Sequence, residues 1–560
     1  MQDGSAAADN PSTENVMKRL YFILPMAIVV CTLNQSLAVS ARRFRPNVLF
    51  ILADDLGIGD LGCYGNPYLD TPVIDALAAQ GIRFTDHYSP SPLCAPARAG
   101  FLTGRFNHRT GAVDVSSNRG VDRIALSERT FGDCFQHAGY ATALIGKWHN
   151  GLYCNDYLPH HRGFALFFGF ANGGHDYWDW QLMRNGDLER SDGRYLSDVL
   201  NDEAIAFIQR SKAENRPFAI VLAHHAPHPP LQAPQSLIDK YKKRVHGVYD
   251  ESAAIMYAMI EAVDTGLGRV FDEIERQGLG EETIVVFTSD NGADLRGSSR
   301  GDSCNRYHGA YQGNKGNVLE QGIRVPAIVS WPGQIPGGQV CSTPIHGCDW
   351  LPTLFGLTDR TPPPGCKPWD GVDLMPLLRG HAMPELQHRD LPFQKNRYTP
   401  VAHSDACLRF GDWKLYWPGE KRSMRKDIAR DNPSYRRGID HPHWEMPLDP
   451  ELPDHADVTT AGPRLYNLAD DPGEQQDLAA EYPALVRAMA ARYDRWFDEV
   501  FAEWQAANRE IRRHDADYWQ TRPAPDPRQL FDGYWQWQRT TADRERDDPL
   551  EVFRGYWYAG

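Results

Sequence analysis

Arg45-Pro46-Asn47-Val48-Leu49-Phe50-Ile51-Leu52-Ala53-Asp54-Asp55 is the stretch on which the fold turns. Val48 to Ala53 is an unbroken apolar run rich in β-formers, cut off sharply by two carboxylates. Such a run reads as a parallel strand buried on both faces. Similar runs recur at Ala141 to Ile145, Phe218 to Ala223, Thr283 to Thr288 and Val325 to Trp331. Helical patterns lie between them. Val73, Ile74, Leu77 and Ala78 precede Gly81, and Leu196 to Ile208 carries apolar residues three and four apart. Strands alternating with helices predict an α/β fold: a large mixed, mostly parallel sheet flanked by helices.

The pattern changes near residue 390. Cys407 to Phe410 and Trp413 to Trp417 read as a hairpin around Gly411-Asp412, and Leu465 to Leu468 as one more short strand. A long amphipathic helix is expected from about Ala484 to Trp504. These elements make a smaller C-terminal α+β subdomain. The expected division is residues 1–41 as an N-terminal extension and signal peptide, 42–390 as the catalytic domain, 391–505 as the subdomain, and 506–560 as an aromatic-rich extension. In that extension Trp519, Trp535, Trp537 and Trp557 either wrap the main body or line a cleft.

Lys18-Arg19, the apolar run Leu20 to Leu33, and Ser36-Leu37-Ala38-Val39-Ser40-Ala41 have the charged, apolar, small-residue order of a signal peptide. The chain is therefore expected to be secreted or periplasmic, with no membrane contact after signal cleavage. The other reading, an uncleaved anchor, meets a run short for a membrane span. Ten cysteines are present and none forms a CxxC pair, which leaves a zinc or thioredoxin motif unsupported. Some can pair in an oxidising compartment, with connectivity left open. The net charge of −14 argues against nucleic acid as the main partner.

Open α/β sheets build sites outside the carboxyl ends of their strands. Those ends carry Asp54-Asp55, Lys147 with His149, His228, and Asp290-Asn291. Any one of these is ordinary, because an Asp-Asp pair often caps a helix and a lone His is often structural. Together they describe a hard-cation site beside cationic groups, and Asp and Asn oxygens suit calcium or magnesium better than zinc.

Cys94-Ala95-Pro96-Ala97-Arg98, followed by Leu102-Thr103-Gly104-Arg105, is different in kind. It resembles the CxPxR signature of the sulfatase family. Gly139-Tyr140-Ala141-Thr142-Ala143-Leu144-Ile145-Gly146-Lys147-Trp148-His149 resembles the second signature of that family. Asp54-Asp55-Leu56-Gly57, Asp60 to Gly65, Ala226 to Pro229, Ser289 to Gly292, Gly313-Asn314-Lys315 and Glu320 to Pro326 are similar as well. Leu465 to Leu468, Asp471-Pro472 and Glu474 look like its C-terminal strand, so the resemblance spans about residues 45–500.

The resemblance implies an alkaline-phosphatase-like fold and hydrolysis of sulfate esters. It implies that Cys94 is oxidised to formylglycine (3-oxoalanine) by a formylglycine-generating maturation enzyme that reads Pro96 and Arg98. It further implies one Ca2+ held by Asp54, Asp55, Asp290 and Asn291. Lys147, His149, His228 and Lys315 match the groups that hold sulfate and move protons, and Arg98 the group that steadies the formylglycine.

The chemistry is consistent with that assignment. A sulfate ester is an anion, so a divalent cation and flanking Lys and Arg must cancel its repulsion of a nucleophile. A sulfated thiol has no easy exit, whereas a hydrated aldehyde can expel sulfate and reset. In this scheme His149 is the base for that second step. His228 with Lys315 protonates the leaving alkoxide, and Asp290 takes the first proton.

Specificity belongs to loops over the strand ends. Asn107-His108-Arg109, His175 to Trp180 and Arg306-Tyr307-His308 are the candidates, with His108, His175, Arg306 and His308 as substrate-binding residues. Aromatic and basic residues together suit a sulfated glycan or small molecule, and Tyr177, Trp178 and Trp180 equally suit simple loop packing. Ala97 stands where many sulfatases carry Ser. That keeps open a phosphodiester or phosphonate monoester hydrolase of the same superfamily. A glycan-binding protein on an inactive sulfatase fold is a further reading, opposed by the complete set of reactive side chains.

Overall fold

Strand β1 (Asn47–Ala53) is buried at every position, and its two faces explain why the apolar run has no polar interruption. Successive side chains in a strand point to opposite faces. Leu49, Ile51 and Ala53 pack into one core with the helices Pro72–Gln80, Leu196–Ala213 and Glu251–Arg276. Val48, Phe50 and Leu52 pack into a second core with the helices Cys94–Thr103, Phe131–His137 and Trp350–Gly356. A sheet covered on both sides needs apolar residues in both registers.

The computed structural model describes Met1 and residues 45–115, 122–152, 154–297, 304–395, 399–419 and 462–520. The chain separates into two units, Met1–Arg45 and Pro46–Gly560, and all elements named here lie in the second. The remaining strands are β2 (Ile82–Phe84), β3 (His87–Tyr88), β4 (Ala141–Lys147), β5 (Leu166–Phe170), β6 (Gln181–Arg184), β7 (Asp187–Arg190), β8 (Phe218–Ala223), β9 (Thr283–Ser289), β10 (Ala327–Ser330), β11 (Gln339–Cys341), β12 (Ile345–His346), β13 (Asp390–Gln394), β14 (Ala406–Phe410), β15 (Trp413–Trp417) and β16 (Arg464–Asn467).

Ten strands form one sheet in the order β11-β2-β10-β9-β1-β8-β4-β5-β6-β7. The centre, β9-β1-β8-β4-β5, is parallel, while β10, β6 and β7 pair antiparallel. The sheet is thus mixed and mostly parallel with helices on both faces, as the sequence predicts. The run Val325 to Trp331 shortens to β10 because Pro326 has no amide to donate to a ladder. Among the described residues no helix is long and apolar enough to cross a membrane.

Strands β13 to β16 form a second, antiparallel sheet. Leu408, Leu415, Trp417 and Leu465 pack on Met489, Tyr493, Trp496, Phe497 and Val500 of the helix Pro483–Gln520. This helix runs well past Trp504. Its buried stripe continues through Ala507, Ile511 and Tyr518, each three, four or seven residues beyond the last. The expected boundary at 505/506 therefore falls inside a continuous helix. The expected signal segment, the Trp519 side chain, Trp535, Trp537 and Trp557 lie outside the described residues.

A buried ion cluster joins the small sheet to the main body. Lys414 Nζ, fully buried on β15, lies 2.8 Å from Glu320 Oε1 and 2.7 Å from Glu474 Oε1. Burial pushes Glu474 up to about 7, with Glu320 adding to the rise. Removing one partner of a buried charge set costs about 3–5 kcal/mol. Lys414→Met is therefore expected to destabilise the protein by about that amount in denaturant titration. Activity per folded molecule should stay near wild type. An unchanged unfolding midpoint would show that the cluster is not structural.

Candidate active site

The four central parallel strands carry the site because they are neighbours in the sheet. The register Ala53↔Ser289 sets Asp54 beside Asp290, and Gly146↔Ala223 sets Lys147 beside the residues that follow β8. Asp54, Asp55, Asp290 and Asn291 are all fully buried. Asp55 has φ 67°, a left-handed conformation uncommon for a residue with a side chain. Its amide donates to Asp290 Oδ1 at 3.1 Å, and Asn291 Nδ2 donates to Asp55 Oδ1 at 2.8 Å. Gly292 then has to be glycine, since a Cβ there would sit 1.8 Å from the Gln321 carbonyl.

Cations answer these carboxylates one by one. Lys147 Nζ is 2.6 Å from Asp54 Oδ2, and Lys315 Nζ is 2.6 Å from Asp55 Oδ1. Arg98 donates through Nε to Asp290 Oδ2 at 2.9 Å, and its second nitrogen lies 2.8 Å from the same oxygen. Arg98 also binds the Lys147 carbonyl at 3.0 Å, which ties the signature helix to β4. Burial alone raises Asp54, but Lys147, His228 and Arg98 outweigh it and hold its carboxyl well below the ordinary value. Burial pushes Asp290 up to about 7, with the Asp54 charge adding to the rise. Asp55 is pushed up to about 6 by burial, against the pull of Lys315.

Cys94 is the first residue of the helix Cys94–Thr103, 3% exposed. Its sulfur and one oxygen each of Asp54 and Asp290 lie within 4.8 Å of one another. The helix N-terminus adds positive potential there. Burial nevertheless raises the Cys94 thiol, despite Lys147 and Lys315. A cysteine that acts as a thiolate has a depressed pKa, so this thiol is not poised to attack.

Both imidazoles expected at the site are present, each with a defined tautomer. The Val115 carbonyl, 3.1 Å from His149 Nε2, can only accept, so Nε2 carries the hydrogen and Nδ1 the lone pair. His149 Nδ1 is buried with no hydrogen-bond partner among the described residues. Burial and then Lys147 hold His149 well below the ordinary value. His228 Nδ1 donates to the Pro229 carbonyl at 2.7 Å, and Nε2 faces Asp55 Oδ2 at 3.7 Å. Burial, Lys315 and Lys147 also keep His228 well below its usual value.

His225 belongs to the site as well and is absent from the sequence expectations. Asp54 Oδ2, 3.1 Å from His225 Nδ1, can only accept, so Nδ1–H donates there, while Nε2 lies 3.1 Å from both the amide and the carbonyl of His175. The ring stacks on Tyr177 at 5.0 Å and meets Phe170 edge-on at 5.1 Å. The signal available in the sequence was His224-His225 at the end of β8, three residues before His228.

The expected substrate residues are placed differently from the reactive ones. His108 is 1% exposed, bonded to Gln394 at 3.0 Å and set against Trp496, so it packs against the small sheet and the long helix. Arg306 is 1% exposed, with its guanidinium on both oxygens of Asp60 and on the carbonyls of Asp294 and Asp55. It braces the loop below the carboxylates. His175 is buried, stacked on Phe170, and accepts from the Gln181 amide at 2.8 Å. All three are buried and hold internal hydrogen bonds. His308 is exposed, and a Cβ at Gly59 would touch its backbone. Tyr177 and Trp180 are buried, while Trp178 is 39% exposed.

The comparisons with known proteins agree with this geometry. The family model described as Sulfatase matches residues 46–360. Mouse (Mus musculus) steryl-sulfatase is 32% identical over 87% of this chain and 84% of its own length. N-acetylgalactosamine-6-sulfatase of Canis lupus familiaris is 32% identical over 78% of this chain and 82% of its own length. The solved structure of Ps i-CgsB in complex with k-i-k-neocarrahexaose superposes with a TM-score of 0.66 at 25% identity, covering 85% of this chain and 97% of that one. The chain belongs to the sulfatase family. It is a sulfuric ester hydrolase.

Proposed function

We propose that this sulfatase hydrolyses sulfate esters of carbohydrates with a formylglycine at position 94 and one calcium ion. The observation that carries the reading is the convergence of Cys94 with Asp54 and Asp290 inside a ring formed by Arg98, Lys147 and Lys315.

The donor set fits a hard cation. Asp54 Oδ1 and Asn291 Oδ1 are buried and accept no hydrogen bond among the described residues. Three carboxylates and a carboxamide offer oxygen alone, as calcium prefers. Asp54, Asp55, Asp290 and Asn291 are its ligands in this reading, and when bound it neutralises sulfate and polarises the ester. A hydrated formylglycine supplies a gem-diol whose one hydroxyl attacks sulfur and whose other releases sulfate as the aldehyde returns.

The remaining work falls to this chain's own side chains. Lys147 and Lys315 bind the equatorial sulfate oxygens, and Arg98 fixes the orientation of position 94 through Asp290. His149, neutral with a lone pair on Nδ1, accepts the proton that lets sulfate leave. His228 is neutral at rest, and an arriving anionic ester beside Nε2 raises its affinity for a proton. It then protonates the departing alkoxide, with Lys315 beside it. Because Cys94 is buried, the maturation enzyme has to act before the chain closes over it. That order agrees with a secreted or periplasmic enzyme matured before or during export.

The glycan assignment rests on similarity to the N-acetylgalactosamine-6-sulfatase and to Ps i-CgsB, solved with k-i-k-neocarrahexaose, with Trp178 and His308 exposed. A panel of sulfated mono- and disaccharides, aryl sulfates and phosphodiesters tests it. A sulfated sugar is expected to give the highest kcat/KM, and a phosphodiester above every sulfate ester overturns the reading. Exhaustive treatment with EGTA is expected to abolish most activity, and added Ca2+ to restore it. Activity that survives metal removal excludes calcium.

His225 acts here as a positioning residue for Asp54. Loss of such an outer partner typically costs 10–100-fold in metal affinity or activity. His225→Ala is expected to lose about that factor in both. His225→Asn, which still donates to Asp54, should recover part of it. Equal losses in the two variants would assign the effect to ring packing.

A further inference from the structure

Cys154, His514 and Asp515 converge from positions far apart in the chain. Cys154 is fully buried and opens the turn Asn155–Tyr157, while His514 and Asp515 sit near the end of the long C-terminal helix. Cys154 Sγ is 3.5 Å from Asp515 Oδ1, and His514 Nδ1 is 3.9 Å from that oxygen. One ligand atom from each lies within 4.8 Å of the others. Neighbouring ligands of a tetrahedral zinc, with bonds of about 2.0–2.3 Å, stand roughly 3.3–3.8 Å apart.

The imidazole is set up as a metal-binding histidine is. His514 Nδ1 is buried, faces the cluster and makes no hydrogen bond among the described residues. Nε2 lies 2.9 Å from Asp156 Oδ2. A carboxylate on the far ring nitrogen fixes the tautomer that aims the near nitrogen at a metal. Arg123 binds the other oxygen of Asp515, and Oδ1 faces Cys154 Sγ and His514 Nδ1. With a thiolate, Asp156, Asp515, Arg123 and a divalent ion, the formal charges cancel.

We infer that Cys154, His514 and Asp515 form a zinc site that staples the end of the C-terminal helix to the loop following His149. Sulfur, imidazole nitrogen and a single carboxylate oxygen select a borderline-soft ion, in contrast to the all-oxygen set at Asp54. Binding releases the thiol proton of Cys154 to water, together with any proton held on His514 Nδ1. The site lies apart from the reactive groups and concerns anchoring. Leu126, Tyr157 and Tyr518 pack around Cys154 and shield it.

The test uses the full, matured chain with zinc alone and, separately, cobalt(II) alone. After dialysis the wild type should retain about one zinc per chain. Its cobalt form should show thiolate-to-cobalt charge-transfer absorption. Cys154→Ser and His514→Ala should each lose the zinc, and Cys154→Ser the absorption. Both should melt at lower temperature and keep kcat/KM within about twofold of wild type. Cys94→Ser should retain both signals, because its metal ligands are elsewhere. Absence of retained zinc and of the cobalt band in wild type overturns the site, leaving His514 as an imidazolium between two carboxylates. A band lost in Cys94→Ser but kept in Cys154→Ser also overturns it. If neither variant folds, the cobalt titration of wild type and Cys94→Ser still decides.

Discussion

Cys94→Ala is expected to lower kcat/KM on an aryl sulfate by on the order of 10^5-fold, about 7 kcal/mol of transition-state stabilisation. The fold should survive. Cys94 is a small buried side chain at a helix start, and among the described residues no hydrogen bond from its sulfur holds the structure together. Truncation to Ala removes one sulfur atom and leaves Arg98, Lys147 and Asp290 in place. Thermal melting near wild type and a near-total loss of turnover are therefore the joint expectation. Peptide mass spectrometry across Cys94 supplies the second measurement. Protein made with a maturation enzyme should show the mass loss of thiol-to-aldehyde conversion, and activity should scale with the converted fraction. Full activity from unmodified Cys94 would remove the mechanism, because burial has raised that thiol and no thiolate stands ready.

The arrangement around Cys94 was legible in the sequence to an unusual depth, and the reason is physical. Parallel strands with two buried faces leave a recognisable apolar signature, and sheet topology forces polar residues at their carboxyl ends into one place. Asp54, Lys147, His228 and Asp290 could be grouped before any contact was known. The substrate residues could not. His108, His175 and Arg306 are chemically suited to an anion, yet the fold buries each against an internal partner: Gln394 and Asp60, far away in the chain, and Gln181, six residues on. Sequence carries no record of such pairings. His225 was missed for the converse reason, since its role depends on a neighbour 171 positions away. The long C-terminal helix was under-read because Arg, Asp and Glu obscure a buried stripe that continues at regular spacing. The expected signal segment and Trp535, Trp537 and Trp557 fall outside the described residues.

Asp54→Ala is expected to lose both turnover and stability, and the two losses have separate causes. Asp54 is fully buried, with Lys147 Nζ at 2.6 Å, His225 Nδ1 at 3.1 Å and Arg98 at 3.7 Å. Without its carboxylate, Lys147 keeps a buried charge and loses its direct ion-pair partner. Breaking a buried pair from one side costs about 3–5 kcal/mol, measurable by denaturant titration. In the proposed mechanism the same substitution removes a cation ligand, so activity should fall below detection even in the folded fraction. Asp54→Asn keeps the size and an acceptor oxygen for Lys147, and should recover part of the stability with little of the activity. The double variant Asp54→Asn with Lys147→Met separates the causes fully. With both charges gone, the fold should return to within about 1 kcal/mol of wild type while catalysis stays lost. A stable Asp54→Ala would mean that Lys147 and Arg98 do not depend on Asp54. Activity within tenfold of wild type would exclude Asp54 from the cation site. Recovery of stability without recovery of turnover would show that the carboxylate is kept for the reaction, since the fold alone tolerates its removal once the facing charge goes with it.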